Sequence, residues 1–145
     1  MSNEYVMDAH ALVWFVDATI ESHPMVVSNF NVREAGDFCS RGGRFGSHSS
    51  NENQPPMYAG HYVFIAWFNA GVRALDISDP YHPREAGYYV PATTEKTDKR
   101  CVKDASGTER CKVAIQTNNL DVDDRGYIYA VDRANTGLHI LEFKR

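Results

Sequence analysis

The stretch Gly71–Val90, GVRALDISDPYHPREAGYYV, decides the fold predicted for this chain. An apolar segment runs to Asp76, a turn rich in proline follows from Ser78 to Pro83, and an extended pattern resumes at Arg84. Short side chains such as Asp and Ser accept backbone N–H bonds in tight turns, and proline lacks the amide hydrogen that continues a β ladder. The stretch therefore predicts two strands joined by a turn, with structural roles for Asp76 and Ser78.

The same pattern occurs earlier in the chain, which indicates an internal repeat. Val16–Pro24 has the sequence VDATIESHP, and its Asp17 and Thr19 precede Asp76 and Ser78 by 59 residues. The side-chain oxygens of Asp17 and Thr19 suit the same kind of turn. We therefore expect structural rather than catalytic roles for all four residues.

A second turn is also repeated, with a spacing of 66 residues. Asn69 and Gly71 fall between the apolar runs YVFIAWF and VRALDI, and Asn135 and Gly137 fall between YIYAVDR and LHILEF. Asn and Gly tolerate positive φ, which two antiparallel strands require in a short connection. The pattern predicts the same hairpin turn in both copies.

Repeats of about 40–60 residues with several short strands each are typical of β-propellers. The sequence therefore predicts an all-β fold, residues 1–145 forming one repeat region with units at about 5–32, 44–91 and 112–144 and an insertion at 92–111. These units would make two to three four-stranded blades. Because a propeller closes with about four to eight blades, we expect the remaining blades to come from a longer chain or from other subunits.

The segment VRALDISDPYHPREAGYY resembles the LVIVD repeat family, in which a strand ends in the pattern [VL]-D-I-S-[DN]-P-x-x-P. The resemblance covers residues 5–143 apart from the insertion. It implies a β-propeller or propeller-like repeat protein of a kind found mostly in bacteria and archaea. The first copy lacks the ISDP pattern, and Glu142 stands where the turn Asp of the third copy is expected.

Composition limits the classes of partner and the compartment. A net charge of −4 and a pI near 5.8 argue against a nucleic-acid partner. No apolar run has the roughly 18 residues that a transmembrane helix needs, and the opening MSNEYVMDAH lacks the pattern of a signal peptide. Cys101 and Cys111 flank a polar loop and form either a disulfide or two exposed thiols. A disulfide would favour a secreted or periplasmic location.

Polar residues of two predicted inner strands form the candidate site. Residues 46–53 and 114–122 are expected to line the central channel, where their polar groups would bind a ligand or a divalent metal, or satisfy one another around water. The candidate ligand-binding residues are His48, Asn51, Glu52, Gln116, Asn118 and Asn119. His48 is the candidate metal ligand, although a complete metal site would need further donors. The two arginines of RGGRFGS, Arg41 and Arg44, are expected to pair with acidic neighbours.

Three functions are compatible with these patterns. The first is a non-catalytic module that binds a ligand or a protein through its loops and polar channel. The second is a metal-dependent propeller enzyme, an oxidase or hydrolase with His48 in its site. The third rests on YVMDAHALVWFVD, which resembles the opening of a PIN-domain ribonuclease with Asp8 at a metal site. That fold also needs several helices, which the rest of the sequence does not predict.

Overall fold

A computed structural model describes residues 12–32, 38–103 and 106–144. This part of the chain is all-β, with several antiparallel sheets and one four-residue helix, α1 (Phe38–Arg41). Among the described residues, no helix has the length and apolar character needed to cross a membrane. The prediction of an all-β fold is therefore confirmed. Asp8, the metal-site residue of the ribonuclease alternative, lies outside the described residues.

The strands form three sheets and a separate hairpin. The first sheet consists of β1 (Val13–Asp17) and β2 (Met25–Phe30). The central sheet has the order β3-β4-β5-β6, made of β3 (Ser49–Ser50), β4 (Tyr62–Trp67), β5 (Gly71–Asp76) and β6 (Arg84–Tyr89). The hairpin contains β7 (Lys99–Lys103) and β8 (Glu109–Val113). The last sheet contains β9 (Thr117–Val122), β10 (Tyr127–Asp132) and β11 (Gly137–Glu142).

The central sheet is buried on both faces. Side chains alternate between the two faces of a strand, so Phe64 and Ala66 of β4 point to one side and Ile65 and Trp67 to the other. Phe64 and Ala66 belong to a core cluster shared with the last sheet. Ile65 and Trp67 belong to a second cluster, against which residues of the first sheet pack. The three sheets are therefore stacked, with the central sheet between the other two.

The sheets stack with equivalent faces in the same direction. Val72 of β5 packs toward the last sheet, and Val13, 59 residues earlier, packs toward the central sheet. Leu138, 66 residues after Val72, lies on the opposite side of the last sheet and is exposed. Each sheet thus directs the same face toward the next one. In the described part of the chain no sheet closes into a ring, and the propeller stays a prediction.

The two repeated turns differ in length. Residues 68–70 connect β4 to β5, whereas residues 133–136 connect β10 to β11, one residue more. Gly71, Gly137 and Asn135 have the expected positive φ, but at the first turn Phe68 has it in place of Asn69. The prediction of identical turns is therefore wrong. Asn69 is instead buried, and its side-chain amide donates to the carbonyl oxygens of Phe38 and Gly42 at 2.8 and 2.9 Å.

The repeated Asp turns have the local hydrogen bonds that the sequence suggests. Asp17 Oδ1 accepts the Thr19 N–H at 2.9 Å, and Asp76 Oδ1 accepts the Ser78 N–H at the same distance. Side-chain and backbone hydrogen bonds from Thr19 to Asp17, and backbone and side-chain bonds from Ser78 to Asp76, favour the ionised carboxylates and hold the pKa of both aspartates below the ordinary value. All four side chains lie in surface turns at strand ends, where they shape the backbone.

The β7–β8 hairpin forms the excursion predicted from the two cysteines. Cys101 and Cys111 lie directly opposite each other and are joined by a disulfide, with their Cα atoms 4.0 Å apart. The hairpin extends to Val113, two residues beyond the predicted end of the insertion. The disulfide fixes the register of a pair of strands that belongs to neither neighbouring sheet.

The two tryptophans differ in burial, and one predicted strand is shorter than expected. Trp67 is fully buried between the first and central sheets, but Trp14 is largely exposed on the outer face of the first sheet. The inner strand expected at residues 46–53 is reduced to Ser49–Ser50, because the Gly- and Asn-rich residues on either side form loops.

Candidate functional site

The two predicted inner strands lie side by side. Ser49 Oγ donates to the carbonyl oxygen of Asn118 at 3.0 Å, and His48 Nδ1 lies 2.6 Å from the same oxygen. Because a carbonyl oxygen only accepts hydrogen bonds, the proton of this contact belongs to Nδ1 of His48. The inner edges of the central and last sheets are thus joined at β3 and β9, and we call this region the inner edge.

Asn51 is a structural residue of the inner edge. It is buried, its Oδ1 accepts the Phe64 N–H at 2.8 Å, and its Nδ2 donates to the carbonyl oxygen of Asn53 at 2.6 Å. These bonds occupy both ends of the amide. The prediction that Asn51 faces a ligand therefore does not fit its position. The sequence pattern could not distinguish a buried amide that bonds the backbone from an exposed amide that binds a ligand.

Gln116 is likewise buried, and it fixes a loop beside the inner edge. Its Oε1 accepts the Arg44 N–H at 3.0 Å, and its Nε2 donates to the carbonyl oxygens of Arg44 and Ile115 at 3.2 and 2.6 Å. Its own carbonyl oxygen accepts the Arg133 N–H at 3.1 Å. The prediction that Gln116 binds a ligand therefore does not fit its buried position. It positions the two backbone segments that carry Arg44 and Arg133.

The Phe68 ring lies against both His48 and Arg133. The Phe68 backbone has φ of 22°, and its carbonyl oxygen accepts the Thr117 N–H at 3.0 Å, which ties the β4–β5 turn to β9. The ring of His48 lies 4.9 Å from the Phe68 ring, and the Arg133 guanidinium lies 4.8 Å from it. A cation over an aromatic face is attracted by the negative potential of the ring. Phe68 thus holds Arg133 in place.

Three arginines from separate segments lie near enough for the charges of Arg44 and Arg100 to act on Arg133, and we call Arg44, Arg100 and Arg133 the arginine cluster. Arg100 donates from Nη2 to the carbonyl oxygen of Arg133, and the same nitrogen lies 3.6 Å from Asp98 Oδ2. Partial loss of solvent contact lowers the pKa of the largely exposed Arg133, and the charges of Arg44 and Arg100 lower it further. Among described residues, no carboxylate forms an ion pair with Arg44 or Arg133. The cluster therefore concentrates positive charge on an acidic protein.

The other predicted ligand-binding residues lie nearer the surface. Glu52 and Asn119 are exposed, and Asn118 is partly exposed. Asn119 Oδ1 accepts the N–H of Leu120 at 3.0 Å. Glu52, Asn118 and Asn119 remain available for binding, together with His48.

The inner edge does not provide a metal site in the described part of the chain. Within the described residues, the three side chains grouped closely enough to hold a metal are Cys101, Glu109 and Cys111 of the β7–β8 hairpin, and both sulfurs are joined in the disulfide. His48 belongs to no such group. The acidic segment DVDDRG also forms a turn, because Asp123 accepts N–H bonds from Arg125 and Tyr127 and pairs with the Arg125 guanidinium at 2.6 Å.

A separate open groove of about 440 Å³ lies between the first and central sheets. Its walls are mainly apolar, with Phe15, Val63 and Ile65 among them, and Ser50 and Gln54 provide side-chain polar groups. A binding site normally combines apolar walls with several polar groups that orient the ligand. The arginine cluster therefore offers a better basis for recognition than this groove.

The sequence did not reveal the arginine cluster. Arg44 was expected to pair with an acidic residue, as was Arg41, but Arg41 lies over the Phe38 ring at 4.7 Å and neither forms an ion pair with a described carboxylate. The Gly-rich loop around Arg44 is a signal for close backbone approach, but only the fold shows that it meets Arg133. No family model, no curated protein and no solved structure matches this chain.

Proposed function

We propose that this protein is a non-catalytic β-propeller repeat module that binds a ligand or a protein partner through the inner edge and its loops. The observation that supports this most directly is that a buried amide residue, Gln116, hydrogen-bonds the backbone of the segments that carry exposed arginines. Gln116 fixes the backbone of Arg44 and Arg133 while their side chains stay exposed. A site held in this way is preorganised for binding, which lowers the entropy cost of association.

The exposed faces of the stack support a role as part of a larger assembly. Leu138 and Ile140 are exposed on the last sheet, in the positions equivalent to Val72 and Ala74, which the last sheet covers in the central repeat. At the other end of the stack, Trp14 and Val16 are exposed on the first sheet. We propose that further blades, from a longer chain or from other subunits, cover these faces. Light scattering of the purified protein gives the mass that distinguishes a monomer from a closed assembly.

The disulfide supports a secreted or periplasmic location for this module. Cys101 and Cys111 are exposed and joined across a hairpin. Such bonds persist in oxidising compartments and are rare in the reducing cytosol. Mass spectrometry of the protein isolated from its native source under thiol-blocking conditions tests this: finding both thiols alkylated would contradict it.

Metal analysis and activity measurements test the non-catalytic assignment against the metal-dependent oxidase or hydrolase. We expect the purified protein to contain no stoichiometric divalent metal and His48→Ala to change neither metal content nor fold. One metal per chain that is lost in His48→Ala would contradict the binding-module proposal. The ribonuclease alternative gains no support from the fold, since the described residues contain only one short helix.

A further inference from the structure

We propose that Arg44, Arg100 and Arg133 form a binding site for a multivalent oxyanion, the phosphate or polycarboxylate group of a small molecule. The inference rests on the proposed binding function and names the class of ligand. The guanidinium group presents a planar set of N–H donors that matches the oxygens of phosphate and carboxylate. Three such groups at one edge of an acidic protein favour an anion that carries more than one charge.

The loop that carries Arg44 has little freedom to move away. Gly43 has φ of 72°, and a Cβ at this position would lie 2.5 Å from Nε2 of Gln116. The loop therefore packs directly on the buried amide that also bonds both backbone groups of Arg44. Close approach of this kind explains why glycine is needed at residue 43. Arg44 is thus presented from a fixed loop and not from a freely moving one.

Arg133 is fixed by two different contacts. Its N–H is bonded to the carbonyl oxygen of Gln116, and its guanidinium lies over the Phe68 ring. A guanidinium that stacks on an aromatic face keeps its N–H groups available for hydrogen bonds in its own plane. The nearest acidic neighbour in sequence, Asp132, attracts Arg133 electrostatically, but its two oxygens accept the N–H groups of Gln116 and Ala134 at 2.6 Å each.

Arg100 brings the third positive charge from the disulfide-linked hairpin. It donates to the carbonyl oxygen of Arg133, so its guanidinium lies beside the backbone of that residue. Lys112, directly opposite Arg100 in the β7–β8 pairing, adds another cation to the same part of the hairpin. Asp98 offsets part of this charge at 3.6 Å from Arg100. Like charges held close together repel, and a bound anion would relieve that repulsion.

Calorimetric titration of the full chain with pyrophosphate and, separately, with citrate at fixed ionic strength tests the proposal. We expect saturable binding of at least one probe with a Kd no weaker than about 1 mM. The two probes distinguish the source, because preference for pyrophosphate indicates a phosphorylated ligand and preference for citrate a polycarboxylate. Arg44→Gln and Arg133→Gln should each weaken binding by about tenfold or more, as expected on losing a hydrogen bond to a charged group.

Arg84→Gln is the matched control, since it removes the same charge from exposed strand β6 in the central sheet. It should leave the affinity within about twofold, because Arg84 pairs with Asp76 at the end of β5 far from the Phe68 turn, and salt screens an exposed charge over distance. Circular dichroism checks that each variant keeps the fold. No saturable binding of either probe, or equal losses in all three variants, would overturn the proposal. If neither probe binds but an uncharged ligand binds saturably and His48→Ala abolishes that binding, the anion site is contradicted while the proposed function stays in place.

Discussion

The β4–β5 hairpin of the central sheet and the β10–β11 hairpin of the last sheet are two copies of the same repeated pattern, but their environments are opposite. Phe64, Val72 and Ala74 of the first hairpin are buried under the last sheet. On the equivalent face of the second hairpin, Val131, Leu138 and Ile140 are exposed. The local pattern is shared, so burial depends on whether another sheet follows in the stack.

The second turn is one residue longer than the first, and its asparagine has a different role. In the shorter turn, Asn69 is buried and bonds two carbonyl oxygens of the preceding segment. In the longer turn, Asn135 is exposed, has φ of 64°, and bonds Asp98 Oδ2 at 2.9 Å. Residue type alone therefore defined a turn in both places, whereas turn length determined which residue took the positive φ.

The largest expected difference is between Phe64→Ala and Leu138→Ala. Phe64 is fully buried, and its removal should lower the free energy of unfolding by about 3–5 kcal/mol through lost burial and a cavity. In a monomer of this chain Leu138 is exposed, and its removal there should cost about 0.5 kcal/mol or less. Urea denaturation measures both. An equally large loss in Leu138→Ala would mean that another sheet covers this face in solution.

The β7–β8 hairpin extends the comparison to a pair of strands outside the stack. Loss of the disulfide in the double variant Cys101→Ser/Cys111→Ser should lower the free energy of unfolding by about 2–3 kcal/mol, because the unfolded chain regains the freedom of the closed loop. Urea denaturation with and without reductant measures the effect. Reductant should destabilise the parent protein and leave the double variant unchanged; a similar response of both proteins would contradict the assignment.

Replacement of the two asparagines compares the turns directly. Asn69→Ala should cost about 1–2 kcal/mol, because the buried carbonyl oxygens of Phe38 and Gly42 lose their donor. Asn135→Gly keeps access to positive φ and removes only an exposed hydrogen bond, so its cost should stay within about 0.5 kcal/mol. Thermal unfolding of both variants provides the test, and equal costs would show that the turns are equivalent after all.

The smallest expected effect concerns the Asp turn after β5. Hydrogen bonds from the backbone and side chain of Ser78 lower the pKa of Asp76 below its ordinary value of 3.8. The ionised form is therefore favoured by folding, so its contribution to stability is present above that value and is lost as the pH falls through the folded pKa.

The melting temperature between pH 7 and pH 3 measures this contribution. Asp76→Asn keeps an oxygen acceptor but cannot ionise, so its melting temperature should fall less steeply with acid than that of the parent. Asp124→Asn, in an exposed turn, serves as the charge-matched control. Identical slopes for the parent and Asp76→Asn would show that the carboxylate of Asp76 contributes nothing to folding.

The sequence predicted strands more successfully than side-chain environments. The apolar runs around Asp17 and Asp76 and the turn signals between them act locally, so their structure follows from neighbouring residues. The choice between a disulfide and free thiols depended on whether Cys101 and Cys111 lie opposite each other, which the β7–β8 register supplies. The roles of Asn51 and Gln116 could not be predicted, because an amide can either brace the backbone or bind a ligand.

What the amino-acid sequence determined by itself was the all-β class, the positions of the turns and the repetition of the unit, since these follow from propensities and patterns over a few residues. Tertiary structure alone decided which apolar faces are buried and which charges meet. Arg44, Arg100 and Arg133 belong to three distant segments, and they come together only because Gln116 and Phe68 join those segments at the inner edge. Burial and charge clustering depend on such long-range contacts, which no local pattern encodes.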